Sequence, residues 1–122
     1  MKFYIATAFN QQSYGRGVRA ALQRMGHQVT SRWLDVEASQ DPGDPTPEAV
    51  MDLDDIDAAD AVICFPTPAM RGGWVEVGYA LGMWIPVAIV PLEETPPVIF
   101  EALCIRCVTW QEAVKALEES LP

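Results

Sequence analysis

The chain is short of positive charge. In 122 residues, 8 Lys and Arg stand against 17 Asp and Glu, a formal net charge of -9. A field of that sign repels polyanions, and no basic stripe gives a nucleic-acid backbone a track, so no polynucleotide partner is expected. Small nucleotides remain compatible with it. Long apolar runs are lacking too: the longest is far below the roughly 18 residues that a membrane span needs, and the N-terminal run is too short for a signal peptide. No membrane partner is therefore expected, and the expected location is cytoplasmic. Histidine occurs once, at His27, and cysteine three times. An odd cysteine count argues against a disulfide framework. Cys104 and Cys107 form a CxxC, but a zinc site would need two further ligands, and a thioredoxin-type CxxC opens a helix after a strand, whereas this one precedes a strand-like run. Packing is the expected use of these thiols.

What is present is half apolar, 50% of residues, enough for a core in a single domain over residues 1–122. Lys2 to Thr7 reads as a first strand, and Gln11 to Met25 as a helix with Val18, Leu22 and Met25 at helical spacing, closed by Gly26. His27 to Leu34 alternates as a second strand, and Asp35 to Pro45 is a turn-rich loop. Thr46 suits a helix N-cap and Pro47 the first helical position, with that helix running to about Ala59. Asp60 to Phe65 is an apolar strand after its acidic lead, of the kind buried on both faces. A helix follows around Glu76, on which Gly78 and Gly82 are expected to allow tight seating on the sheet. Pro86 to Val90 is a fourth strand, Val98 to Leu103 a short helical turn, Ile105 to Thr109 a last strand, and Thr109 or Trp110 opens a final helix through Leu121. Strands alternating with helices predict an α/β fold: a flavodoxin-like, doubly wound, five-stranded parallel sheet in the order 2-1-3-4-5.

That order places the carboxyl ends of strands one and three side by side, where open parallel sheets bind ligands. The stretches Tyr4 to Asn10 and Phe65 to Gly73, together with Glu76, are thus expected to share one cleft. Glu76 is the strongest lead, an acid expected in the first turn of the helix that starts there. Read alone, it equally serves to complement the helix dipole. Tyr4 alone reads as a half-buried strand residue, and the acids Asp52, Asp54, Asp55 and Asp57 as a solvated helix face or as mutually perturbed carboxyls.

Three anchors in order resemble the nucleoside 2-deoxyribosyltransferase-like family, including its 2'-deoxynucleoside 5'-phosphate N-hydrolase branch. They are Tyr4 in Phe3-Tyr4-Ile5-Ala6, Asp52 in the acidic run through Asp60, and Glu76 in Gly72-Gly73-Trp74-Val75-Glu76-Val77-Gly78-Tyr79-Ala80. The resemblance spans nearly the whole chain. It implies cleavage or transfer at the N-glycosidic bond of a nucleoside or nucleoside monophosphate, with Glu76 as nucleophile, Tyr4 orienting it and Asp52 assisting the leaving group, by way of a glycosyl-enzyme ester. Thr7, Phe9, Met70, Arg71, Gly72, Gly73 and Trp74 would bind substrate, with Phe9 and Trp74 as candidates to stack on the base. The helix N-terminus is expected to keep Glu76 ionised. No metal or organic cofactor is implied.

Two departures stand out. Met70 occupies a position where the family carries a polar Asp or Ser, and the stretch Ala8-Phe9-Asn10 lacks the serine and arginine of the phosphate-binding branch. Arg16, Arg19 and Arg71 are the candidates left for a phosphate. Other readings are a nucleotide-binding or sensor module that has lost catalysis, a TIR-like NAD glycohydrolase, and, weakest, a flavodoxin-type carrier, which the missing Ser/Thr-rich loop after strand one disfavours. The resemblance also implies a homodimer or higher homo-oligomer in which the segment Thr95 to Glu101 completes a neighbour's pocket, Glu101 being the candidate donor.

Overall fold

Five strands lie parallel in the order β2-β1-β3-β4-β5, as the alternation of strands and helices predicts. The computed structural model describes residues 1–37 and 43–121, so the centre of the loop expected over Asp35 to Pro45 lies outside the described residues. The two central strands are β1, Lys2–Thr7, and β3, Ala61–Phe65; all of β3 and all of β1 but Lys2 are buried. They pair in register from Phe3 opposite Ala61 to Thr7 opposite Phe65, which sets their carboxyl ends together. Flanking them are β2 (Gln28–Val29), β4 (Val87–Ile89) and β5 (Ile105–Arg106).

The helices are α1 (Gln12–Arg24), α2 (Thr46–Asp57), α3 (Gly72–Gly82) and α4 (Trp110–Ser120). Helix α1 buries Gly15, Val18 and Leu22, one stripe at 3.6-residue spacing. A Cβ at Gly15 would stand 2.6 Å from Leu34 Cδ2, so a larger residue there would displace the Leu34 side chain. Gly26 ends the helix turn with φ +90, as expected. Helix α4 is capped by Thr109, whose hydroxyl accepts from the Glu112 N–H at 3.2 Å. Helices α2 and α3 are tied by the Tyr79 hydroxyl, which donates to Asp57 Oδ1 at 2.7 Å. Side chains alternate across β1: Ile5 faces Gly15 of α1, while Tyr4 reaches α3.

The second strand is far shorter than the expected His27 to Leu34. Only Gln28 and Val29 pair with β1, and the chain then turns into a 3-10 turn, Arg32–Asp35. The cause is side-chain substitution for ladder partners: Ser31 Oγ accepts from the Ile5 N–H at 2.6 Å and Trp33 Nε1 donates to the Ile5 carbonyl at 2.8 Å. With both polar groups of Ile5 satisfied, β2 has no ladder left to extend. The last strand likewise stops at Arg106 rather than Thr109. Thr46 is the first helical residue of α2 and Pro47 the second; Pro45 takes the cap position, and the Asp44 Oδ1 before it accepts from the Thr46 N–H at 3.0 Å.

Gly78 and Gly82 are both exposed, with nothing within 4 Å of a Cβ built at either, so close seating on the sheet is not their role. Glycine inside an exposed helix face carries only its entropic cost. Gly78→Ala is therefore expected to raise the unfolding free energy by about 0.5–1 kcal/mol, measured by urea denaturation.

Candidate active site

The β1 and β3 ends, the start of α3 and one face of α2 enclose a cleft of about 580 Å³. Thr7, Phe9, Asp52, Arg71, Gly72, Gly73 and Glu76 line it. Tyr4 lies just beneath, fully buried, and its hydroxyl donates to Glu76 Oε2. The tyrosine on strand one and the glutamate on the following crossover helix are thus in direct contact, 72 residues apart in sequence. Asp52, from α2, faces the same space. Its Oδ1 is buried and has no hydrogen-bond partner among the described residues. A buried carboxylate oxygen left open in a cleft is a place for a ligand donor.

Glu76 is the fifth residue of α3, in its second turn, rather than in the first turn as expected. The dipole's partial charge falls off within one turn. Burial therefore dominates and pushes the carboxyl up to about 8, with the Asp52 charge adding to it and the Tyr4 hydrogen bond opposing it. Burial thus works against the ionised Glu76 that the helix N-terminus was expected to favour. Asp52 is raised to about 6, first by burial, then by the charges of Asp55 and Glu48, against the pull of Arg32. The Tyr4 phenol is held well above its ordinary range by burial and by Glu76, so it stays a donor at every working pH.

Asp55 fixes the helix that carries Asp52. Its carboxylate accepts from the Arg32 N–H at 3.0 Å and from Arg32 Nε at 2.9 Å, and its carbonyl accepts from Thr30 Oγ1 at 2.7 Å. The acidic run is therefore divided in use: Asp55 and Asp57 bind structure together, and Asp52 alone lines the cleft. Thr7 reaches the cleft with its hydroxyl already donating to the Phe65 carbonyl at 2.6 Å. Phe9 is 48% exposed, and beside it stands Trp33, ring centroids 6.3 Å apart and planes at 37°.

Trp33 is a cleft residue that sequence reasoning missed, because it was assigned to the second strand. Glu48 and Met51 of α2 also line the cleft without having been singled out. Their spacing is the available signal: Glu48, Met51 and Asp52 share one helical face. Met70 and Trp74 do not line the cleft. Met70 is 4% exposed, near Cys64, with its sulfur where a Gly73 Cβ would be, 2.4 Å away. A side chain at Gly73 would force Met70 to move, while nothing lies within 4 Å of a Cβ at Gly72. Trp74 is half-buried against the core. Arg19 forks onto Asp35 at 2.7 and 2.9 Å and Arg16 donates to the Leu34 carbonyl at 3.0 Å, which leaves Arg71 as the one arginine in the cleft wall among the described residues. Glu101 accepts from the Val98 N–H at 2.7 Å and from Arg106 at 3.3 Å. Among the described residues no cluster of His, Cys, Asp and Glu is arranged to hold a metal, and no helix is long and apolar enough to cross a membrane.

No family model and no curated protein matches the chain. Solved structures do. One is the Clostridium botulinum CMP N-glycosidase BcmB, with TM-score 0.64 and 19% identity, covering 99% of this chain and 100% of that one. Another is the 2-deoxyribosyltransferase of the psychrotolerant bacterium Bacillus psychrosaccharolyticus, with TM-score 0.74 and 19% identity, covering 93% and 90%. This chain has their fold. The flavodoxin-like sheet order expected from sequence is the observed one, and the neighbours carrying it are nucleoside-processing enzymes.

The upward shift of Glu76 gives a stability prediction. A carboxyl whose folded value lies above its ordinary 4.5 adds stability that is full below about 4.5 and is lost as pH rises through about 8. Glu76→Gln removes that loss. The variant is expected to melt above wild type near pH ~9 and to keep no such advantage near pH ~5, as read by calorimetry.

Proposed function

We propose that the chain cleaves or transfers at the N-glycosidic bond of a nucleoside or nucleotide, with Glu76 as the nucleophile. The observation that carries this reading is the Tyr4 hydroxyl donating to Glu76 Oε2 at the floor of a cleft that also holds the open Oδ1 of Asp52. The likeness in fold to an N-glycosidase and a deoxyribosyltransferase supports it.

In the forward step an oxygen of ionised Glu76 attacks the anomeric carbon. The C1'–N bond breaks, its electron pair leaves with the base nitrogen, and the Asp52 carboxyl supplies the proton that neutralises the base. A glycosyl ester on Glu76 results. Water, deprotonated by the Asp52 carboxylate, then attacks the same carbon and releases the sugar, or a second base does so and gives a new nucleoside. Tyr4 holds the carboxylate in line through its hydrogen bond, and Phe9 with Trp33 offers a face for the base. The cycle consumes no oxidant and needs no cofactor.

Two coupled carboxyls at about 6 and about 8 hold one proton between them across neutral pH. The reactive arrangement has that proton on Asp52, with Glu76 ionised. The same reading expects a homodimer or higher homo-oligomer, with Ile99 and Phe100 standing exposed on the segment assigned to the contact. It takes 1–122 as one nucleoside 2-deoxyribosyltransferase-like domain working in the cytoplasm.

Incubation with a panel of nucleosides, deoxynucleosides and their monophosphates is expected to release free base. Glu76→Ala is expected to lower that rate by at least about a thousandfold. The rate of the wild type should follow a bell between limbs near 6 and 8, with the alkaline limb lost in Asp52→Asn. Base release that survives Glu76→Ala unchanged removes Glu76 from the chemistry, and binding without turnover favours the sensor reading.

A further inference from the structure

Resting on the nucleoside reading above, the charge distribution of the cleft bears on which substrates it admits. Among the described residues, three carboxyl groups line it, Glu48, Asp52 and Glu76, against one guanidinium, Arg71. The other arginines near this end of the sheet are committed: Arg19 to Asp35, Arg32 to Asp55 and Arg16 to the Leu34 carbonyl. The overall charge of -9 adds a field that repels anions. The open Oδ1 of Asp52 calls for a hydrogen-bond donor, which sugar hydroxyls and base N–H groups supply and a phosphate does not.

We infer that the cleft selects nucleosides that carry no phosphate, with neutral or cationic bases, and discriminates against the corresponding 5'-monophosphates. A phosphate dianion seated here would face Glu48 and Asp52 at close range with a single arginine to balance it. It would also hold the proton on Glu76 more tightly, since a like charge disfavours the ionised form, and so oppose formation of the nucleophile. A neutral nucleoside imposes neither cost. A cationic base lowers both barriers, because it is attracted to the carboxylates and leaves as a neutral molecule. In this respect the chain departs from the neighbour named for CMP.

The test is equilibrium binding to Glu76→Gln, which keeps a partner for Tyr4 and does not turn over, using matched pairs of nucleosides and 5'-monophosphates. Nucleosides are expected to bind at least about tenfold more tightly, and the ratio to shrink as salt rises from about 20 mM to about 500 mM, where exposed charges are screened. Glu48→Lys, at an exposed position on the cleft wall, is expected to narrow the ratio severalfold by strengthening monophosphate binding. Equal affinities, tighter binding of monophosphates, an unchanged ratio in high salt, or no binding of either overturns the inference. Failure of the catalytic reading is seen separately, as absence of base release by wild type, because the affinity ratio does not depend on turnover.

Discussion

One contact organises the site: the Tyr4 hydroxyl against the Glu76 carboxyl, made between a central strand and the helix that crosses over it. It exists because β1 and β3 are neighbours in the sheet, so that the helix leaving β3 passes over the carboxyl half of β1. Strand alternation then turns Tyr4 toward α3 and Ile5 toward α1. Helical periodicity does the corresponding work on the other side. Gly73, Val77 and Ala80 bury one face of α3, and Glu76 is carried inward beside them. A carboxyl placed that way loses water, and the single phenol donor recovers only part of what hydration supplied.

That shortfall links structure to chemistry. A carboxylate that is poorly solvated is a costly ground state for the fold and a reactive one toward an electrophilic carbon, the usual trade between stability and activity in a working site. Asp52 is the complement. It stands on α2, which Asp55 fastens to the Arg32 turn and Asp57 fastens to α3, so its height over the cleft is set by two structural acids on the same helix. The Asp52 and Glu76 carboxyls line one cleft, and among the described residues the Asp52 Oδ1 has no partner there. The distribution of charge around that space follows the same economy of cations seen along the whole chain.

Much of this was legible in the residues. Continuous apolar runs with intervening helical periodicity predicted the sheet and its order, and the pairing of Tyr4 with Glu76 followed from the switch point combined with a family resemblance. What escaped has particular causes. Trp33 lay in a stretch whose alternation mimics a strand, and only Ser31 and Trp33 bonding to Ile5 across tertiary space diverts it. Glu76 was placed one turn too early because Arg71, with no side-chain cap, starts the helix at Gly72. Its ionisation could not be read from position alone, since dipole and burial act in opposite directions and their balance depends on depth. Gly78 and Gly82 looked like packing residues by spacing, and the exposed face on which they lie cannot be read without the helix's orientation.

The central claim is that Glu76 bonds to the sugar. Incubation with a 2-fluoro-2-deoxy nucleoside, whose fluorine slows breakdown of the ester, followed by mass spectrometry of the digested protein, tests it most directly. The account predicts a fluorosugar mass on the peptide containing Glu76, absent from Glu76→Gln. Adduct formation on another residue, or turnover of the natural substrate without any adduct, would contradict it.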